Sequence, residues 1–454
     1  MSQNKKRLFK WSSGTLCVLT LSFTIQAAMQ NGPSDPGVRG GTAGAGGAIS
    51  GLTVKEGKFF QAGQDAFSET QSVLGTIGGT EAGLGPRFNM DSCVGCHAHP
   101  ASGGSSPSIN PQVAVASKLN ATNTLPYFVT LNGPVREARY KYVDPTTNTI
   151  RDGGVHALFT IAGRQDASGC VASDIPQPEF EYAHSQNNVT FRIPTPVFGA
   201  GLIEAIADET ILANIKNPPV MGVSGHVNRE GNAGTITRFG WKAQNKSLVI
   251  FSAEAYNVEQ GVTNELFPQE RDETSKCTFG TYPEDHTNFE ETQPQQISSD
   301  AVNFANFMRF LAPPTPVASY GIVAATSIAQ GANLFVTVGC ALCHTPSMKT
   351  DTSSTSALNG KTANLYSDLL VHHMGAGLAD DIIQGAAGPD EFRTAPLWGL
   401  GQRIFFLHDG RTSDLLEAIQ AHASSGSEAN QVISNFNART VLERQAILNF
   451  LRSL

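Results

Sequence analysis

The 454-residue sequence predicts a mainly α protein made of two tandem units, the N-terminal one enlarged by loops and some β-structure. Three observations carry this expectation. The motif Cys-x-x-Cys-His occurs twice, as Cys93-Val94-Gly95-Cys96-His97 and Cys340-Ala341-Leu342-Cys343-His344. Each motif is preceded by a stretch with helical apolar spacing. Each is followed by one copy of an internal echo, Phe191 to Gly201 and Phe392 to Gly401, which is the mark of a duplicated unit.

The elements follow in chain order. Residues 1–28 read as an export signal. Lys5, Lys6, Arg7 and Lys10 form a basic start, Leu16 to Ile25 is apolar, and Ala27-Ala28 offers a cleavage site. The apolar run is too short for a typical membrane span, so no stable membrane insertion is expected, and the destination is the periplasm. Residues 29–50, rich in Gly and Ala, read as a flexible linker. The enlarged N-terminal unit covers 51–316. It opens with a helix through Val54, Phe59, Phe60 and Phe67, and it includes the strand-like run Tyr127 to Leu131. Pro313-Pro314-Thr315-Pro316 punctuates the chain. The C-terminal unit, 317–454, begins with a helix over Ile328 to Val338 that runs into the second motif. It ends in a helix capped by Thr440 with Glu443, whose apolar face is Ile447, Phe450, Leu451 and Leu454.

Two thiols one turn apart with a His directly after them are the pattern that attaches a haem covalently through its vinyl groups. The expectation is therefore two cytochrome c-like domains and two covalently bound haem c groups, at Cys93/Cys96 and Cys340/Cys343, with His97 and His344 as proximal iron ligands. A zinc or redox Cys-x-x-Cys does not require the adjacent His. Cys170 and Cys277 remain; in an exported chain a structural disulfide is favoured over two free thiols. The net charge of −8 argues against nucleic acid as a partner and leaves open a basic electron donor.

Beyond these motifs, Leu407-His408-Asp409-Gly410-Arg411-Thr412 with Leu415-Leu416-Glu417-Ala418-Ile419 resembles a segment of the bacterial dihaem cytochrome c peroxidases and of the dihaem enzyme that matures methylamine dehydrogenase. Nearer still is the dihaem oxidoreductase family of peroxidase-like proteins, sometimes labelled thiol oxidoreductases. Its typical stretches match Phe88 to Cys93, Gly103 to Pro107, Asp152 to His156, Phe198 to Ile206, Arg238 to Gln244 and Tyr366 to Leu370.

The resemblance implies roles. At the place where the peroxidases carry a Met bound to the second haem, this chain has His422, and the competing ligand is Met374. Trp241 matches the Trp that lies between the haems. Glu259 matches the catalytic acid–base, with Glu254 as fallback. His156, after Asp152-Gly153-Gly154, is a candidate distal ligand of the first haem. Relatives often hold calcium between their domains, but Arg403 to Phe406 departs from their ligand pattern. The implied function is an exported dihaem oxidoreductase that reduces peroxide at the N-terminal haem. Its electrons would come from a small c-type cytochrome or a cupredoxin through the C-terminal haem. The rivals are a non-enzymatic electron carrier and a dihaem oxygenase or oxidase.

Overall fold

Thr53 caps helix α1 (Val54–Ser68): its side chain accepts from the Glu56 amide, and the Glu56 carboxylate accepts in return from the Thr53 amide. The structure, a computed structural model, describes residues 32–454 except 232, 233, 271–273, 275 and 281. The export signal read at 1–28 lies outside the described residues. Among the described residues, no helix is long and apolar enough to cross a membrane.

Helix α1 packs against α3 (Asp300–Phe310), which also contacts α2 (Leu248–Gln260). Phe60, Phe67, Phe304 and Phe307 fill the space between them. This core also takes in Leu365, Leu370 and Trp398 from the C-terminal half. A second core lies beside a three-stranded antiparallel sheet of β1 (Glu137–Tyr140), β2 (Val155–His156) and β3 (Val189–Arg192), with β1 in the middle. Phe88, Phe128, Phe159 and Phe180 build it, and the Cys170–Cys277 disulfide is buried in it. A third core joins α4 (Ala325–Val338), α5 (Asn430–Asn437) and α6 (Val441–Ser453) around Phe335, Phe436 and Phe450. Thr440 and Glu443 cap α6 reciprocally.

The α4–α6 crossing depends on one glycine. A Cβ on Gly331 would stand 1.9 Å from the Ala446 carbonyl oxygen and 2.7 Å from the Phe450 Cβ. Gly331→Ala must therefore push the two helices apart. The expected loss is about 1–3 kcal/mol of stability, or somewhat more, read as a lower urea midpoint.

The expectation of a mainly α protein is overturned. Among the described residues, 28% are helical and 13% strand, and irregular backbone predominates. With 45 Gly and 24 Pro, helix is disfavoured along much of the chain. Its buried loops are held by side chains instead: Asn228 donates to the Lys242 and Gln384 carbonyls, and Asn264 to the Ala253 carbonyl. The Tyr127 to Leu131 run is not a strand. It forms turns, with Val129 N–H bonded to the Pro126 carbonyl at 2.9 Å and Gly133 N–H to Thr130 at 3.1 Å. Nor are residues 32–50 a loose linker. Asp35 pairs with Arg452 of α6, Arg39 N–H bonds the Gly401 carbonyl, and Ile49 N–H bonds Phe310.

Candidate functional sites

Each Cys-x-x-Cys-His motif opens onto its own cavity. The N-terminal cavity, about 160 Å³, is lined by Cys93, Cys96 and His97 together with Phe67, Met90 and Tyr256. The C-terminal one, about 210 Å³, is lined by Cys340, Cys343 and His344 with Phe335, Phe406 and Leu451. Both are mainly apolar, and Trp241 lines both.

Three histidines share one arrangement. His97 Nδ1 lies 2.9 Å from the Gly104 carbonyl, His344 Nδ1 2.9 Å from Tyr366, and His422 Nδ1 2.8 Å from Ala418. A carbonyl only accepts, so each Nδ1 carries the proton and each Nε2 keeps its lone pair. Burial pushes His97 and His344 down to about 4, and lowers His422 as well. All three are thus neutral imidazoles, the form that binds metal. His344 and His422 line the same cavity. Met374 lines it too, but packs against Trp241 and Phe392.

In the N-terminal cavity the structure brings Glu259 and Trp241 together with Cys93, Cys96 and His97. Glu259 lies in the last turn of α2. Its carbonyl accepts from Asn89 at 2.7 Å, which ties the helix end to the loop leading into Cys93. Gly261 makes that junction possible: it turns left-handed (φ 69°), and a Cβ there would stand 2.7 Å from the Arg87 carbonyl oxygen. Asn89 Nδ2 also donates to Glu259 Oε2 at 2.9 Å. Trp241 is fixed by its Nε1, which donates to the Ile193 carbonyl at 2.9 Å, and by its own carbonyl, which accepts from Arg393.

His156 does not reach the cavity. It stacks on Tyr140 at 3.7 Å between ring centroids and bonds Asp152 at 2.8 Å. Strand β2 holds it beside β1 on the sheet, so its reading as a distal ligand is corrected to a structural His. Glu254 is bonded by Asn245 and does not line the cavity.

Sequence reasoning missed other residues here. Glu137, Arg139 and Arg192 line the N-terminal cavity. Glu137 and Arg192 face each other across β1 and β3, and Glu137 is ion-paired with Arg139. Burial alone would raise the Glu137 carboxyl. Arg139, a hydrogen bond with Glu259, and Arg192 outweigh it and hold Glu137 below the usual carboxylate range. In the C-terminal cavity, Arg403 is half-buried, and its buried Nε and Nη2 are unpartnered. Burial pushes its pKa down to about 10, and its guanidinium lies 5.9 Å from the Trp241 ring. His408 stacks on Phe392 at 4.2 Å, and burial pushes it down to about 4.

No curated protein matches the chain. Among solved structures, it is similar to a MauG-like protein associated with microbial copper homeostasis, at 15% identity over 55% of this chain and 89% of that one, with a TM-score of 0.28. It is also similar to the hydrazine synthase of Kuenenia stuttgartiensis, at 16% identity over 36% of this chain, with a TM-score of 0.23. That alignment spans 56% of the hydrazine synthase chain. At these scores neither likeness carries an argument. The family model described as "Di-haem oxidoreductase, putative peroxidase" matches residues 140–454, and the chain belongs to that family of di-haem oxidoreductases.

Proposed function

We propose that this di-haem oxidoreductase reduces peroxide in the N-terminal cavity, with electrons entering through the C-terminal cavity from a small c-type cytochrome or cupredoxin. One observation carries the reading: Glu259 and Trp241 share a cavity with Cys93, Cys96 and His97, and Trp241 lines the second cavity as well.

The cavities suit the cofactor. Their walls are largely apolar, as a porphyrin face requires. The buried Arg403 guanidinium, unpartnered at Nε and Nη2, calls for an anion such as a haem propionate. In this reading Cys93, Cys96, Cys340 and Cys343 hold the haems through thioether bonds. His97 and His344 would bind iron through Nε2, oriented by their Nδ1 bonds. Such attachment belongs to an exported protein, in keeping with the basic and apolar start of the chain.

Bound haem would supply the iron at which the peroxide O–O bond is broken. The protein's part is to orient, to exclude water and to handle protons. Glu259, with Oε2 held by Asn89, is the group to move a proton between the two peroxide oxygens. Phe67, Met90 and Tyr256 give the site apolar walls, and a wall that excludes water strengthens every charge interaction beside it. Trp241 bridges the cavities as a fixed, buried ring.

The test is turnover of hydrogen peroxide with a reduced c-type cytochrome. A rate no higher than that of free haem would remove the reading.

His422 is proposed as the residue that would hold the iron of the C-terminal haem together with His344, ahead of Met374. A thioether ligand raises haem potential relative to imidazole. His422→Met should therefore raise the midpoint potential of that haem and change its low-spin EPR signal, while Met374→Leu leaves both alone. The opposite pattern would transfer the assignment to Met374.

A further inference from the structure

The N-terminal cavity holds a second carboxyl group that no motif marks. We infer that Glu137 and Glu259 share one proton and work as a single acid–base unit. In it Glu259 meets the substrate and Glu137 is the positioning partner that stores the proton. The inference rests on the peroxidase reading for its substrate, but not for the proton-sharing itself.

The geometry leads here. Both side chains line the cavity and are hydrogen-bonded to each other. They arrive from unrelated elements, Glu137 from the first position of β1 and Glu259 from the last turn of α2. Two carboxyl groups can hydrogen-bond only if one carries a proton. The surrounding charges say which. Arg139 is ion-paired with Glu137 and is itself anchored by the Gly153 carbonyl at 2.8 Å. Arg192 stands opposite Glu137 in the strand register. Both cations therefore favour Glu137 as the carboxylate. Arg139 also attracts Glu259, but its ion pair is with Glu137, whereas Glu259 is bonded by the neutral amide of Asn89 and lies near the Cys93 and Cys96 sulfurs. Glu254 adds negative charge near Arg139 without lining the cavity, and Arg136, which does line it, is bonded to the Asp409 carbonyl. The shared proton thus rests on Glu259.

The pair solves a problem that a lone protonated Glu259 would face, because a protonated acid cannot accept the first proton of the substrate. With Glu137 beside it, Glu259 can take a proton from one peroxide oxygen while passing its own to Glu137. The proton then returns through Glu259 to the other oxygen, which leaves as water when the O–O bond breaks. Arg139 makes Glu137 the weaker holder of the proton, so the return is favoured. Two electrons, one from each of two reduced cytochrome molecules, and two protons from solvent complete the second water.

The test combines infrared difference spectra with kinetics on haem-loaded protein carrying Glu137→Gln, Glu137→Asp or Glu259→Gln. Wild type at neutral pH should show a protonated-carboxyl C=O band that is absent from both Gln variants. For Glu137→Gln, kcat should fall on the order of 10–100-fold, less than the roughly 10²–10⁴-fold of losing the acid–base group itself, with an altered pH profile and little change in KM. Glu137→Asp should recover part of the rate. A band that survives in either Gln variant overturns the inference, as does an unchanged kcat and pH profile in Glu137→Gln. If wild type turns over no peroxide but the band is lost in both variants, the pair stands and the peroxidase reading falls. If turnover is present and the band survives, the reading stands and the pair falls.

Discussion

Glu259→Gln should lower kcat/KM for peroxide by about 10²–10⁴-fold with the haem optical spectrum unchanged. Gln has the shape of Glu and still presents an oxygen to the Asn89 amide, so the cavity keeps its form. What it loses is the ability to take and return a proton. Glu254→Gln, on the same helix, is the control. Glu254 is bonded to Asn245 and lies outside the cavity lining, so its rate should stay within a few-fold of wild type. The two variants together separate proton handling from a general effect of removing a carboxylate from α2. Steady-state rates with a reduced c-type cytochrome decide it. If Glu259→Gln keeps its rate and Glu254→Gln does not, the acid–base role has been placed on the wrong residue.

The parts of the molecule legible in sequence are those encoded by local spacing. The helix over Val54–Ser68, the helix leading into Cys340, and α6 with its cap all follow from apolar periodicity and a short capping signature. So does the burial of Ile447, Phe450, Leu451 and Leu454. The fold class was not legible, because it is set by what lies between those helices. Backbone that is neither helix nor strand is stabilised by partners far away in the chain, as when Arg39 meets Gly401 or Asn228 meets Gln384. Tyr127 to Leu131 has the composition of a strand, yet among the described residues no strand pairs with it.

The candidate sites divide in the same way. Cys93, Cys96 and His97 are contiguous and carry their own signal. Glu259 and Trp241 could be picked out only through a resemblance. Glu137 and Arg192 are harmless residues on two short strands until the β1–β3 register sets them side by side. His156 failed for the complementary reason: its local context looked functional, but the sheet turns it onto Tyr140.

Asp380→Ala should cost about 3–5 kcal/mol, the size expected when one partner of a buried ion pair is removed. Asp380 is almost wholly buried and accepts from Arg192 Nη2 at 2.8 Å, while its other oxygen meets Lys242 Nζ at 3.0 Å. Both cations are themselves buried. Lys242 has further oxygen neighbours, the Gly388 and Glu391 carbonyls at 2.8 Å each, but carbonyl dipoles cannot replace a full negative charge beside two positive ones. Burial pushes Lys242 down to about 8 from its ordinary 10.5, with Arg192 adding to the shift and Asp380 opposing it. This fixes the sign of the pH dependence. Between pH 8 and 10.5 the unfolded chain holds this proton and the folded one has lost it, so the Lys242 contribution raises stability as pH climbs through that window. Below pH 8 the cost of burying the ammonium is fully present. Without Asp380 the lysine should lose its proton at still lower pH. The deficit of Asp380→Ala relative to wild type should then be larger at pH 7 than at pH 9, as urea denaturation at the two values would measure. Asp380→Asn, which keeps an acceptor but no charge, should fall between. The effect should also reach the chemistry, because Lys242 adjoins Trp241 in sequence and Arg192 stands opposite Glu137, so one carboxylate braces both cavities at once. A variant within about 1 kcal/mol of wild type at pH 7 would mean that the Gly388 and Glu391 carbonyls at Lys242, and Gln384 Oε1, which accepts from Arg192 Nη1 at 2.6 Å, suffice to hold both cations, and that the cluster is not what fixes Trp241 between the two sites.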